Sequence, residues 1–183
     1  MINQKHAKAI IAIDKALTIA VYIFYPAMLL YLVITGLSAA ADGLSCGYQP
    51  GTASMWMHMA AFAVVPGVSF VLVSIFRHLY NAPRPYEVSG SAQYATGHAQ
   101  DAAEPIIKRD GTGKSFPSRH VFSIFMIAVT AFQLRPAVGI IIGIAGVVLA
   151  YCRVKGGVHF TRDVVAGAII GIGLGIIGFA IWP

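Results

Sequence analysis

The chain has 183 residues, 57% of them hydrophobic and only 11% charged, with a mean hydropathy of +0.74. A soluble domain carries about a quarter charged residues, and a disordered chain is marked by low hydrophobicity, so both classes are set aside. Thirteen Lys and Arg against seven Asp and Glu give +6, a balance that fits an anionic membrane surface or an anionic substrate. Nucleic acid is the weakest partner, because too little chain lies outside the apolar runs to build a binding module.

The apolar residues fall in long uncharged runs, the pattern of a polytopic membrane protein. A polar or amphipathic N-terminal segment, residues 1–15, carries Lys5, Lys8 and Lys15 and leads into the first run, Ala16 to Ala41. That run exceeds the apolar stretch of a signal peptide, about 7 to 15 residues, and is expected as a retained span. The second run, Met55 to Phe76, contains His58 and Pro66, which neighbouring helices can satisfy. A mixed-polarity loop over residues 77–117 follows, whose Ala-rich part, Ser89 to Pro105, can form a short interfacial helix.

Three closely spaced apolar runs complete the chain: Val121 to Leu134, Ala137 to Cys152, and Val164 to Trp182. The first is short for a span but becomes adequate if its helix begins near Ser118, giving about 17 residues and about 26 Å. Arg135-Pro136 then makes a tight connection, with Pro136 suited to a first helical turn. Glycines four apart, at Gly139 and Gly143 and at Gly167, Gly171 and Gly175, can line packing faces, although glycine is also simply frequent in such helices. The expected fold is all-α, a single membrane-embedded domain over residues 1–183 with about five transmembrane helices. Cys46 and Cys152 are expected on opposite membrane faces, forming neither a disulfide nor a metal site.

Basic residues and histidines gather in three clusters: Arg77 to Pro85, Pro117-Ser118-Arg119-His120, and Arg153 followed by His159 and Asp163. Two spans separate the second cluster from the third, so all three emerge on one membrane face. A phosphoryl group needs fixed cations and donors around its oxygens, which arginine forks and a helix N-terminus supply. His159 and Asp163 are four apart, so the carboxylate can orient one ring nitrogen and leave the other as nucleophile or base. His120 then serves as general acid, and a two-step displacement through a phosphohistidine becomes available. Singly, each residue has a duller role: Arg77 and Arg153 as snorkelling anchors, Ser118 as a helix cap, Asp163 as a partner of a helix dipole.

Together the clusters resemble the signature of the type-2 phosphatidic acid phosphatase superfamily, which includes bacterial lipid phosphatases and vanadium haloperoxidases. Its pattern, Lys-x6-Arg-Pro, Pro-Ser-Gly-His and Ser-Arg-x5-His-x3-Asp, is matched by Arg77-x6-Arg84-Pro85, Pro117-Ser118-Arg119-His120 and Cys152-Arg153-x5-His159-x3-Asp163. The resemblance implies that His159 is the nucleophile, Asp163 its orienting partner and His120 the acid. It also implies that Arg77, Arg84, Ser118 and Arg153 bind the phosphoryl group, with neither metal nor cofactor. Arg77, Arg119 and Cys152 depart from the pattern; Arg119, where the family has glycine, either contacts a second phosphate or turns away. Gly111-Thr-Gly-Lys114-Ser115 imitates half of a P-loop, but Lys108 stands where its first glycine belongs, so this stretch is expected to be a flexible lead into Pro117.

The expected function is removal of a terminal phosphate from a membrane lipid such as phosphatidic acid, phosphatidylglycerophosphate or a polyprenyl phosphate or diphosphate. A phosphotransferase using the same intermediate, or a non-enzymatic anion or lipid transporter, are the alternatives; oligomeric state is left open. With five spans, every basic residue except Arg135 shares a face with the clusters, which by the positive-inside rule makes that face cytoplasmic. The resemblance to bacterial members, which commonly face outward from the cell membrane, points the other way.

Overall fold

The computed structural model describes residues 4–42, 53–88, 106–107 and 112–182. Cys46 and the interfacial helix expected over Ser89 to Pro105 lie outside the described residues. Among the described residues five long helices form a membrane bundle: α1 (Gln4–Asp42), α2 (Ala53–Tyr80), α3 (Arg119–Leu134), α4 (Pro136–Lys155) and α5 (Thr161–Ile181). All but α3 are long and apolar enough to cross a membrane. Residues 4–15 continue the first helix rather than forming a separate element.

The shortest helix occupies the centre. α3 has 16 residues and packs against both α4 and α5, with α2 and α1 completing its surroundings. Its buried side chains, among them Val121, Phe122, Ile124 and Met126, are shielded from lipid by neighbours, so α3 escapes the length requirement of a lipid-facing span. The outer helices turn their apolar residues outward, as with Ile23 and Leu30 on α1, Ile141 and Ile144 on α4, and Ile169 on α5.

Small residues permit the tight centre. At Gly167 and Gly171 an added Cβ would stand 2.8 Å from the Ser118 carbonyl oxygen and 2.6 Å from that of Phe122, so α5 lies directly on the α3 backbone. Such packing replaces the hydrophobic drive that lipid removes. Gly139 similarly meets Ala128 and Phe132, whereas Gly143, expected on the same face, has nothing within 4 Å.

Proline positions are resolved locally. Pro66 inside α2 has no N–H for the Phe62 carbonyl one turn earlier, and the Tyr25 hydroxyl of α1 donates to that carbonyl at 2.8 Å. Arg135 alone joins α3 to α4, its N–H donating to Ala131 O at 2.9 Å, with Pro136 opening α4. At the other end of α4, Gly157 adopts φ +75°, a left-handed conformation suited to glycine, and the chain reverses over residues 156–160 to present His159.

Replacing Gly171 by Val is expected to push α5 off α3, costing about 1–3 kcal/mol, whereas Gly143→Ala stays within about 0.5 kcal/mol of wild type. Thermal unfolding in detergent measures both, and equal effects would contradict this packing.

Candidate active site

The polar centre forms where α2, the 112–118 segment, the start of α3 and the α4–α5 turn meet. Asp163 is completely buried at the third position of α5. Its Oδ2 accepts the Phe160 backbone N–H at 3.0 Å and the Ser115 hydroxyl at 2.5 Å, and its main-chain carbonyl accepts the Ser118 N–H at 2.9 Å. Asp163 is therefore a helix cap and a site residue at once.

His159, also buried, places Nδ1 3.6 Å from Asp163 Oδ2 and 3.4 Å from the Ser115 hydroxyl. The acceptors on this side favour the tautomer protonated at Nδ1, which leaves the lone pair on Nε2. Nε2 is buried without a hydrogen-bond partner among the described residues. Burial pushes the imidazole from its ordinary 6.5 down to about 4; the Asp163 hydrogen bond opposes this, while the charges of Arg84 and Arg77 add to the lowering. At neutral pH the His159 imidazole is therefore uncharged, with its Nε2 lone pair retained.

The arginines surround this pair but are already engaged. Arg77, from the end of α2, donates to the carbonyls of Lys114, Ser115 and Pro117. Arg84 donates from Nε to Gly113 O at 2.9 Å and from Nη1 to Val158 O at 3.1 Å, joining the loop to the His159 turn. Arg153 directs Nε to Asp14 Oδ1 of α1 at 2.7 Å and Nη2 to Thr18 Oγ1 at 3.1 Å. Each guanidinium thus uses N–H groups to hold backbone or side chain.

Ser118 stands at the N-cap of α3, yet its side chain makes no capping bond, and its buried Oγ has no partner among the described residues. Together with the N–H groups of the first helical turn, it forms a donor set suited to an oxyanion. The Arg119 guanidinium lies 5.9 Å from the Phe70 ring centroid on α2. Arg119 and His120 line a small cavity with Thr18, Tyr22 and Ser123, so His120 opens toward α1.

Three contributors were not read from sequence. Ser115, dismissed with the P-loop lookalike, is completely buried and bridges the His-Asp pair; the 112–118 segment is a pinned wall rather than a flexible lead. Glu87 accepts the N–H groups of Arg84 at 2.9 Å and Gly113 at 2.6 Å, fastening that wall to the turn after α2. Asp14 reaches Arg153 from the first helix. Cys152 is a buried free thiol, and among the described residues no three His, Cys, Asp or Glu side chains form a metal-ligand group.

The sequence model of the PAP2 superfamily matches residues 54–183. The chain belongs to this superfamily. Among solved structures it is similar to Aquifex aeolicus LpxE, at 21% identity and a TM-score of 0.59, covering 97% of this chain and 94% of that one. It is also similar to a transmembrane PAP2 type phosphatidylglycerolphosphate phosphatase from Bacillus subtilis, at 20% identity and a TM-score of 0.55, covering 97% and 86%. Comparison with curated proteins returns no match. The PAP2 match contains all three clusters but begins after α1, while the structural likeness extends over nearly the whole chain.

The depressed His159 pKa has a stability consequence. Between pH 6.5 and about 4 the unfolded imidazole takes up a proton that the folded one refuses, so acidification through this window destabilises the fold. His159→Asn removes that contribution, and its melting temperature is expected to fall less steeply than wild type from pH 6.5 to 4. Parallel declines in a pH series of thermal scans would contradict the assignment.

Proposed function

We propose that this chain is a membrane lipid phosphatase that removes a terminal phosphate through a phosphohistidine on His159. The observation that carries the reading is the buried, unpartnered Nε2 of His159, with Asp163 and Ser115 on its Nδ1 side and arginines around it. A ring held in one orientation with its lone pair exposed to a cationic pocket is arranged for in-line attack on phosphorus.

In the first step Nε2 bonds to phosphorus as the ester P–O bond breaks, and His120 gives its proton to the departing lipid oxygen. Water then attacks the phosphohistidine, His120 takes the water's proton, and inorganic phosphate leaves with the N–P bonding pair returned to Nε2. Asp163 stabilises the positive ring during both steps. The arginine charges, Ser118 and the first-turn N–H groups of α3 stabilise the three equatorial oxygens. Charge compensation by guanidinium groups makes a metal unnecessary on this route.

A lipid suits the surroundings better than a soluble ester. The site lies at helix ends, and an apolar cavity of ≈ 420 Å³ between α1, α2 and α3 is lined by Tyr22, Pro66, Phe70, Phe122 and Ser123. Tyr22 and Ser123 also line the smaller cavity at Arg119 and His120, so hydrocarbon and phosphate have adjoining places. Phosphatidic acid, phosphatidylglycerophosphate and polyprenyl diphosphate are the candidate substrates, and the basic residues of the site face favour a cytoplasmic orientation.

Purified protein in detergent with chelator present is expected to release phosphate from at least one of these lipids. His159→Ala should reduce turnover by about 10⁴-fold or more and His120→Ala by about 10²- to 10⁴-fold. Release by His159→Ala at the wild-type rate would refute the proposed nucleophile, and no release by folded wild type would favour a phosphotransferase or a transporter.

A further inference from the structure

Arg153 belongs to the phosphate-binding pattern, yet its nearest charge is a carboxylate on another helix. Asp14 Oδ1 stands 2.7 Å from Arg153 Nε, and the two side chains are 8% and 6% exposed. Asp14 is the one acidic residue between Gln4 and Ala41, on a helix otherwise directed largely into lipid. A buried carboxylate in a span is costly without a partner, so the pair fixes both side chains. Thr18, one turn along α1, accepts from Arg153 Nη2 at 3.1 Å. The small cavity beside it, lined by Thr18, Tyr22, Arg119 and His120, joins this contact to the catalytic side of α3.

We propose that Asp14 is an internal counter-anion that competes with the phosphoryl group for Arg153 and so sets how tightly the site holds phosphate. The proposal rests on the reading of Arg153 as part of a phosphoryl-binding site. Guanidinium offers five N–H donors; Thr18 accepts one of them, and Asp14 faces the group as an ion pair. A phosphoryl group taking the others shares its cation with a second anion, and like-charge repulsion across the guanidinium weakens its hold. Inorganic phosphate would then leave more readily after the second step. Asp14 and Thr18 lie on α1, so this weakening belongs to a helix outside residues 54–183, which hold the three motif clusters.

Calorimetric titration of the full chain in detergent with inorganic phosphate, at neutral pH, reads the competition without turnover. A protein that hydrolyses no lipid still reports, which separates failure of this proposal from failure of the phosphatase reading. Asp14→Asn is expected to bind phosphate about tenfold more tightly, within the usual range of coupling between sites. The gain should vanish when Asp14→Asn is combined with Arg153→Gln and compared with Arg153→Gln alone. Thr18→Val, which removes one acceptor from the same guanidinium, should tighten binding by about two- to threefold and decides the matter if Asp14→Asn does not fold. A short-chain phosphatidic acid should tighten in parallel; a gain confined to the lipid would place Asp14 against the headgroup and overturn the proposal. Unchanged or weaker phosphate binding in the folded variants would overturn it too, the weaker result making Asp14 a positioning residue.

Discussion

The site depends on the burial of one carboxylate. Asp163 Oδ2 accepts from Phe160 and Ser115 while facing His159, and its backbone carbonyl accepts from Ser118. These contacts join the α4–α5 turn, the 112–118 wall and the beginning of α3 at a single residue. Burying an ionised group without such partners would cost several kcal/mol. The requirement to satisfy Asp163 thus fixes the relative positions of His159, Ser115 and Ser118.

The arginines extend the same economy. Arg77 and Arg84 hold carbonyls of the wall and of the His159 turn, so the charges proposed to meet phosphate also build the pocket. Burial holds the His159 imidazole in its neutral form, the charges of Arg84 and Arg77 add to that effect, and Glu87 fastens the wall through the N–H groups of Arg84 and Gly113. Deep in the bundle, glycines let α5 lie on α3 so closely that Ser118 and Asp163 can hydrogen-bond across the two helix starts.

Much of this was legible because membrane helices are written as long apolar runs and because the three clusters keep fixed spacings. The break at Arg135-Pro136 and the start of α3 after Ser118 followed from local backbone chemistry. What escaped was long-range pairing. Nothing in the local pattern around Asp14 or Thr18 points to Arg153, 135 residues beyond Thr18, and the polar or amphipathic N-terminal segment is helical from Gln4 onward as part of α1. Ser115 was hidden by a misleading neighbourhood, since Gly-Thr-Gly-Lys-Ser suggests a nucleotide loop whose missing first glycine gave reason to discard the whole stretch. Arg119 had two sequence readings, and its position near Phe70 follows from packing against α2 that periodicity does not encode.

Covalent trapping tests the role of His159 most directly. Rapid acid-free quenching of wild-type protein during turnover of lipid bearing a radiolabelled terminal phosphate should yield a transient, alkali-stable and acid-labile phosphoprotein. Peptide mapping should place the label on His159, and His120→Ala, slowed in the second step, should accumulate it where the first step still proceeds. A wild-type enzyme that turns over fully without labelled protein under conditions that preserve phosphohistidine, or that carries its label on another residue, would contradict nucleophilic attack by His159.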